Sequence, residues 1–197
     1  MEHSVILDGL NARQSDAVTS NSPHVLVLAG AGSGKTKVLV HRVAWYLETG
    51  QALPSSVLAV TFTNKAATEM RHRIRNLTDS DTDSMWVGTF HNIAHRILRH
   101  HWKEAGLKQR FQIIDSDDQL RLIKRLIKDS GFKDEEVAPK EAQWFINNRK
   151  DRGERPEQID DYADQNFLNM VKVYKLYEQA CQRAGLVDFA ELLLSAN

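Results

Sequence analysis

The chain has 197 residues, of which 42% are hydrophobic and 26% charged, and its formal net charge at pH 7 is zero. This composition is typical of a globular protein with one ordinary domain or two small ones, and no apolar stretch approaches the ~20 residues that a membrane span requires. The N-terminal residues lack the basic segment and apolar core of a signal peptide. Because its single cysteine, Cys181, has no partner within the chain, we expect a protein of the reducing cytoplasm.

Charge is distributed unevenly along the chain. Residues 1–110 carry 13 Lys and Arg against 9 Asp and Glu, a net charge of +4, whereas residues 111–197 carry 13 against 17, a net charge of −4. Five of the eight histidines lie between residues 72 and 101. This modest, local basic excess suits a narrow nucleic-acid track better than a broad electrostatic surface, and by itself it is weak evidence.

The first predicted elements are a short helix and a buried strand. The helix covers residues 10–18, because Asn11 is a favourable N-cap and Gln14 follows at the spacing of a capping box. The apolar run His24–Leu28 then predicts a strand.

A glycine-rich loop follows this predicted strand directly, and it consists of Ala29, Gly30, Ala31, Gly32, Ser33, Gly34, Lys35 and Thr36. Glycine adopts positive φ at little cost, which lets backbone N–H groups turn toward a phosphate chain. Lys35 can place a charge on the β- and γ-phosphates, Thr36 can offer its hydroxyl to Mg²⁺, and the following helix adds its positive end. The strand, loop and helix together predict a nucleoside triphosphate site rather than a merely flexible loop, although Ala29 stands where the usual pattern begins with glycine.

Helices and strands alternate through the next part of the chain. Helices are predicted over residues 35–47, 64–77 and 90–102, and buried strands over residues 57–63 and 85–89. With His24–Leu28, residues 24–102 have the order β-α-β-α-β-α, which produces a parallel sheet with helices on its faces. The predicted fold class is therefore α/β.

Only helices are predicted after residue 115. They cover residues 116–130, 139–150, 166–184 and 188–196, and Ser116 with Gln119 and Asp188 with Glu191 have capping-box spacing. The preceding segment Phe111–Asp115 looks like an apolar strand ending on a magnesium-binding aspartate, but Ser116 and Gln119 indicate that Asp115 leads into a helix. We expect a boundary between an α/β part and a helical part near residues 105–112.

Several segments match the motifs of one known family. They are Leu10–Gln14, Ala29–Thr36, Thr61–Met70 and Val87–His91 in the first part, and Phe111–Asp115, Asp118–Gln119 and Ala184–Phe189 in the second. Over essentially the whole chain these segments resemble superfamily 1 DNA helicases of the UvrD/Rep/PcrA group. The resemblance implies a RecA-like P-loop NTPase lobe over residues 1–110, with an incomplete parallel sheet, and an inserted all-helical subdomain over residues 111–197.

The same resemblance implies ATP and Mg²⁺ as cofactors. Lys35 and Thr36 would be the catalytic residues, with Thr36 contacting Mg²⁺ held by ATP. The nucleotide would touch the whole loop Ala29–Thr36 and the basic side chain of Lys37. Gln14 would bind adenine through its amide, and we favour this role over the capping box, with which it is only partly compatible.

The ends of the two later strands predict a DNA track. Ligands gather beyond the carboxyl ends of parallel strands, and aromatic side chains there can stack on bases. Taken singly, each aromatic would suit a core position and each arginine a solvated helix face, but two equivalent strand ends and the resemblance favour DNA. The expected contacts are Thr61, Phe62, Thr63, Asn64, Arg71, Arg73, Thr89, Phe90 and His91.

The function that the resemblance implies is an ATP-dependent 3′–5′ DNA helicase and single-stranded DNA translocase of DNA repair. Its partners would be single-stranded DNA, single-strand/duplex junctions and DNA-repair proteins, without a membrane. Hydrolysis in this family needs an Asp-Glu pair after a later strand and arginine fingers from a second motor domain. No such motif occurs before Asn197, so we expect an N-terminal fragment that is inactive alone. Two alternatives stay open: the helicase part of a recombination helicase–nuclease, and a module that binds DNA or a partner without turnover.

Overall fold

The computed structural model of the chain describes residues 4–132, 137–159 and 164–197. These residues form two compact units that divide between Ile93 and Ala94. The first unit contains α1 (Ser4–Leu7), α2 (Ala12–Thr19), α3 (Lys35–Glu48), β1 (Leu58–Thr61), α4 (Asn64–Arg75), β2 (Trp86–Thr89) and the start of α5 (Phe90–His100). The second contains the rest of α5, β3 (Gln112–Ile113), α6 (Ser116–Asp129), α7 (Pro139–Asp151), α8 (Gln165–Ala184), β4 (Leu186–Val187) and α9 (Phe189–Ser195). Short 3₁₀ turns cover Pro54–Ser56 and Pro156–Gln158.

The first unit is built on the parallel pair β1 and β2. Leu58 pairs with Trp86 and Thr61 with Thr89, so the two strands end at the same level. Helix α4 makes the connection between them, as the alternating pattern predicts. The core beneath the strands consists of Val40, Val43, Leu47, Ala59, Met70, Ile74, Met85 and Val87. The predicted α/β alternation and parallel pairing are therefore confirmed for these two strands.

The prediction of a strand at His24–Leu28 is wrong: this segment lies in the described part of the chain and is not a strand. This segment pairs with neither β1 nor β2, which form a two-stranded sheet. Its side chains are not buried either, since Leu26 and Leu28 are 83% and 86% exposed. An extended segment becomes a strand only where a neighbour takes its N–H and C=O groups. The apolar pattern indicates a segment that favours burial but cannot say whether that neighbour is present.

The second predicted strand is shorter and less buried than expected. It covers Leu58–Thr61 instead of residues 57–63, and only Ala59 is buried. Leu58 is 57% exposed, and β1 has a neighbour on one edge only among the described residues. The helices of this unit agree better with their caps and periodicity: α3 and its stop at Gly50 are confirmed, whereas α4 and α5 each end two residues early.

The second unit packs four helices, α6 to α9, around an apolar core. Their ends lie within one residue of the predicted bounds. The largest fully buried side chains of this core are Ile123, Ile127, Ile146, Tyr174 and Tyr177. In the described part of the chain, no helix is long and apolar enough to cross a membrane.

Two details of this unit correct the sequence analysis. First, β4 is a strand where only helices were expected, and its two residues pair in parallel with β3. Second, the N-cap of α6 is Asp115, not Ser116, since the Asp115 carboxylate accepts from the N–H groups of Asp117 and Asp118. A carboxylate that accepts two N–H groups is a stronger cap than a serine hydroxyl. The strand β4 could not be predicted because two residues are too few to show an alternating apolar pattern.

A buried ion cluster joins the helices of the second unit. The Lys150 side chain is only 1% exposed, and its Nζ lies 2.8 Å from Glu178 Oε1, 2.9 Å from Asp188 Oδ2 and 2.9 Å from Glu191 Oε2. Arg155 Nη1 donates to Glu191 Oε2 at 2.7 Å, and Nη2 donates to Glu191 Oε1 at 2.7 Å. Three carboxylates thus surround two cations, and α7, α8 and α9 are fastened to one another.

Asp188 belongs to this cluster and is also the N-cap of α9. Its Oδ1 accepts from the N–H of Glu191 at 2.7 Å and caps α9, while its Oδ2 accepts from the Tyr177 hydroxyl at 2.7 Å. The predicted reciprocal bond from the Glu191 side chain is not made, because that carboxylate binds Lys150 and Arg155. Burial alone would raise the pKa of Glu191, but hydrogen bonds from Arg155 and the charge of Lys150 lower it to about 2. Glu191 is therefore ionised at neutral pH.

Replacing Lys150 by methionine should destabilise the second unit strongly. The methionine side chain would fill similar space but leave the buried carboxylate of Asp188 without the ammonium of Lys150, while Glu191 would keep only Arg155. Removing one partner of a buried pair costs about 3–5 kcal/mol. Urea unfolding followed by circular dichroism measures this loss. The matched control is Lys140→Met on the same helix, where the side chain is exposed and the change should stay within about 0.5 kcal/mol. Equal stability of the two variants would contradict the role of Lys150.

Candidate nucleotide and nucleic-acid site

The glycine-rich loop leads straight into α3. Gly32 and Gly34 have φ angles of +74° and +85°, which residues with a Cβ adopt only at a cost. Gly34 is the N-cap, and Lys35 and Thr36 are the first two residues of the helix. The first-turn N–H groups of a helix have no carbonyl partner within it, and the helix dipole adds partial positive charge there. The loop and the first turn of α3 therefore bring together several hydrogen-bond donors that can bind an anion.

Lys35 points its ammonium back over the loop. Its Nζ donates to the carbonyl oxygens of Ala29 at 2.9 Å and Gly30 at 2.6 Å. The Ser33 hydroxyl also donates to the Gly30 carbonyl, at 2.7 Å. Ala31, Gly32, Lys35 and Thr36 are all exposed. A phosphate group that entered the loop could thus take the place of these carbonyl oxygens and accept hydrogen bonds from the Lys35 ammonium and the Ser33 hydroxyl.

Gln14 lies against the loop and uses both ends of its amide. Its Oε1 accepts from the N–H of Asn11 at 3.1 Å, which completes the predicted capping box, and its Nε2 donates to the Ser33 carbonyl at 3.1 Å. A Cβ added at Gly34 would lie only 2.9 Å from this Nε2. The capping role is therefore confirmed, and an adenine contact would require the amide to exchange at least one of these bonds.

Lys37, the other residue expected near the nucleotide, is engaged elsewhere. Its Nζ donates to the Gly9 carbonyl at 2.6 Å. One turn further along α3, His41 Nδ1 lies 2.5 Å from the Ile6 carbonyl oxygen. Neither the Lys37–Gly9 nor the His41–Ile6 contact could be predicted, because no local pattern joins residues about 30 positions apart.

The two aromatic residues after the strands lie side by side. Phe62 follows β1, Phe90 follows β2, and their ring centroids are 5.6 Å apart with planes tilted by 48°. Phe62 is 88% exposed and Phe90 48% exposed. Neither ring is a core residue, so the pair presents an open aromatic surface at the carboxyl ends of the strands.

The polar residues around this aromatic pair mostly hold the backbone. Thr63 caps α4 by accepting from the N–H of Ala66 at 3.2 Å, and the buried Thr89 accepts from the N–H of Asn92 at 3.3 Å. Asn64 Oδ1 accepts from Asn92 Nδ2 at 2.9 Å, which ties the starts of α4 and α5 together. Asn92 was not predicted, although it lies one residue beyond the matching motif.

The remaining expected DNA contacts differ in how accessible they are. His91 is exposed, and Thr61, the last residue of β1, is half-buried. Arg71 Nη2 donates to the Val87 carbonyl at 2.6 Å, so its guanidinium supports β2. Arg73 is exposed and forms an ion pair with Glu69 one turn earlier.

A cavity of about 330 Å³ lies in the second unit. Lys150, Arg155, Glu178 and Glu191 line it, but these charges are already paired with one another. Cys181 also lines it, and burial raises the pKa of this thiol to about 12, so it stays protonated. The cavity thus offers less to a phosphate chain than the exposed loop does. Among the described residues, no group of three or more His, Cys, Asp or Glu side chains is placed to hold a metal ion.

Known proteins resemble this chain along nearly its whole length. The UvrD/REP helicase N-terminal domain matches residues 10–197. DNA helicase II of Escherichia coli strain K12 is 54% identical over 197 residues, which are 100% of this chain and 27% of that protein. DNA helicase II of Haemophilus influenzae is 52% identical over 98% of this chain and 27% of its own length. ATP-dependent DNA helicase PcrA of Leuconostoc citreum is 39% identical over 98% of this chain and 26% of its own length.

The chain therefore spans about a quarter of the length of these curated relatives. The matches confirm the resemblance inferred from the loop and the strand-end motifs. Because the family match extends over residues 10–197, this chain belongs to the UvrD/REP helicase N-terminal domain family.

Proposed function

We propose that this chain is the nucleotide-binding part of an ATP-dependent 3′–5′ DNA helicase that moves along single-stranded DNA and acts in DNA repair. The observation that carries the proposal is the position of Lys35 at the first residue of α3, behind the left-handed Gly34. The relatives named DNA helicase II and ATP-dependent DNA helicase PcrA support it. Direction of movement and repair rest on the resemblance alone.

ATP would occupy the loop Ala29–Thr36. Lys35 would transfer its hydrogen bonds from the carbonyls of Ala29 and Gly30 to the β- and γ-phosphates, and Thr36 would offer its hydroxyl to Mg²⁺. When bound, Mg²⁺ neutralises charge on those phosphates. Gln14, already beside the loop, would turn its amide to adenine. This arrangement supports binding, and hydrolysis would also need the Asp-Glu pair and arginine fingers expected elsewhere in a longer protein.

The assignment of the two parts belongs to the same proposal. Residues 1–110 would form a RecA-like lobe, and residues 111–197 an inserted helical subdomain. The parallel pair β1 and β2, with α4 between them, supports the first assignment. The four helices packed around one core support the second.

Single-stranded DNA would run across the aromatic pair Phe62 and Phe90. Both rings are exposed at the carboxyl ends of adjacent parallel strands, where ligands of open α/β sheets gather. Stacking uses ring faces, so this contact would tolerate any base sequence. His91 and Arg73 would add exposed polar contacts, whereas Thr63, Asn64, Arg71 and Thr89 would act mainly by holding the strand ends in place.

Lys35→Ala should abolish ATP turnover in the longer protein and weaken MgATP binding by this chain about 10- to 100-fold, the value of one or two charge-assisted hydrogen bonds. Folding should be unchanged, because Lys35 is exposed. Isothermal titration calorimetry measures the affinity, and circular dichroism checks the fold. Lys124→Ala, which removes an exposed lysine of α6, is the control with unchanged affinity. Near-normal binding by the Lys35 variant would overturn the site.

Phe62→Ala should weaken binding of single-stranded DNA by about 1–3 kcal/mol, the contribution of one stacked base. The loss should be similar for oligo-dT and mixed-sequence strands, and MgATP affinity should not change. Fluorescence anisotropy with labelled oligonucleotides measures the affinity for oligo-dT and for the mixed-sequence strand. Leu53→Ala, in the same unit and 71% exposed, is the control for loss of exposed apolar surface. If Phe62→Ala and Leu53→Ala bind DNA equally well, Phe62 has no stacking role.

A further inference from the structure

The segment before α2 is held against α3 by a buried histidine. His41 is 7% exposed, and its Nδ1 lies 2.5 Å from the carbonyl oxygen of Ile6, a residue that is itself only 3% exposed. A carbonyl oxygen can only accept a hydrogen bond, so Nδ1 carries the hydrogen. This bond fixes α1 against α3 at His41, beyond the first turn of the helix that begins at Lys35.

The turn that follows α1 is fixed from the same helix. Lys37, one turn before His41, donates to the Gly9 carbonyl at 2.6 Å. Gly9 has a φ of +71°, and a Cβ at this position would lie 3.3 Å from Lys37 Nζ. The turn therefore needs glycine for its backbone angle, and an added Cβ would also require the Lys37 ammonium to shift by a few tenths of an ångström.

The C-terminal end of α2 is also bonded to α3. Arg42, the residue after His41, donates through Nη1 to the carbonyls of Ala17 at 2.7 Å and Val18 at 3.1 Å. Consecutive residues of α3 thus fasten the chain before α2 and the last turn of α2. Between these two anchors lies Gln14, with its amide 3.1 Å from the Ser33 carbonyl of the loop.

We infer that His41 is a positioning residue for recognition of the nucleotide base: by holding Ile6, it sets the start of α2 so that Gln14 stays beside the loop. The inference rests on the proposed ATP site. His41 is buried and bonded to the N-terminal segment, so it acts through Gln14 and not on the ligand. A purely structural role would instead affect the stability of the unit without distinguishing one part of the nucleotide from another.

The test compares two ligands that differ in the base. MgATP and magnesium tripolyphosphate both offer a phosphate chain, but only ATP offers adenine. Their affinities for the 197-residue chain are measured by calorimetry for the unsubstituted protein and for His41→Leu. We expect His41→Leu to weaken MgATP about 3- to 10-fold, the scale of one hydrogen bond, and to leave tripolyphosphate unchanged. His41→Asn, whose amide can donate near the position of Nδ1, should restore MgATP affinity.

A double-mutant cycle connects the effect to Gln14. In a Gln14→Ala background, His41→Leu should cause no further loss, because the group that it positions is gone. Equal losses for both ligands, full additivity with Gln14→Ala, or unchanged MgATP affinity in a folded His41→Leu protein would each overturn the inference.

A second variant decides the question if His41→Leu does not fold. Gly9→Ala changes the exposed turn that connects Ile6 to α2 and should therefore produce the same selective loss of MgATP affinity. Unchanged MgATP affinity in this variant would contradict the inference. Failure of the proposed function looks different, because the unsubstituted chain would then bind neither MgATP nor tripolyphosphate, and the inference would fall with it.

Discussion

The site depends on one constraint, the burial of one face of α3. Val40, Val43 and Leu47 pack into the core beneath β1 and β2, so the helix cannot rotate or slide without exposing apolar surface, at about 25 cal/mol per Å². This packing fixes where the helix begins, and hence where Lys35 and Thr36 lie. The same helix holds the chain before α2 through Lys37 and His41. The loop, the amide beside it and the buried core are thus coupled through a single element.

Local rules predicted the helices and much of the loop. Asn11 and Gln14 form the capping box that their spacing indicates, and α3 begins at the lysine that the glycine pattern marks. These features could be predicted because their energies come from neighbours within a few residues. The identity of the family could be predicted for the same reason, since its motifs are short and contiguous.

Features that need a distant partner could not be predicted. His24–Leu28 has the composition of a strand, but no described strand pairs with it. Lys150 has the character of a surface lysine in a charged segment, yet it is buried among Glu178, Asp188 and Glu191. These partners lie 28 to 41 residues further along the chain. The cluster matters for the second unit because it attaches α9 through buried ion pairs, and removing one partner leaves the opposite charge buried with less compensation.

The most direct test of this account is a titration of the ¹⁵N-labelled chain with MgATP, followed by the chemical shifts of its backbone amides. We predict the largest changes at residues 29–36 and at Gln14, with the amides around the Lys150 cluster unaffected. Changes confined to the cavity of the second unit, or no changes at the loop, would contradict it.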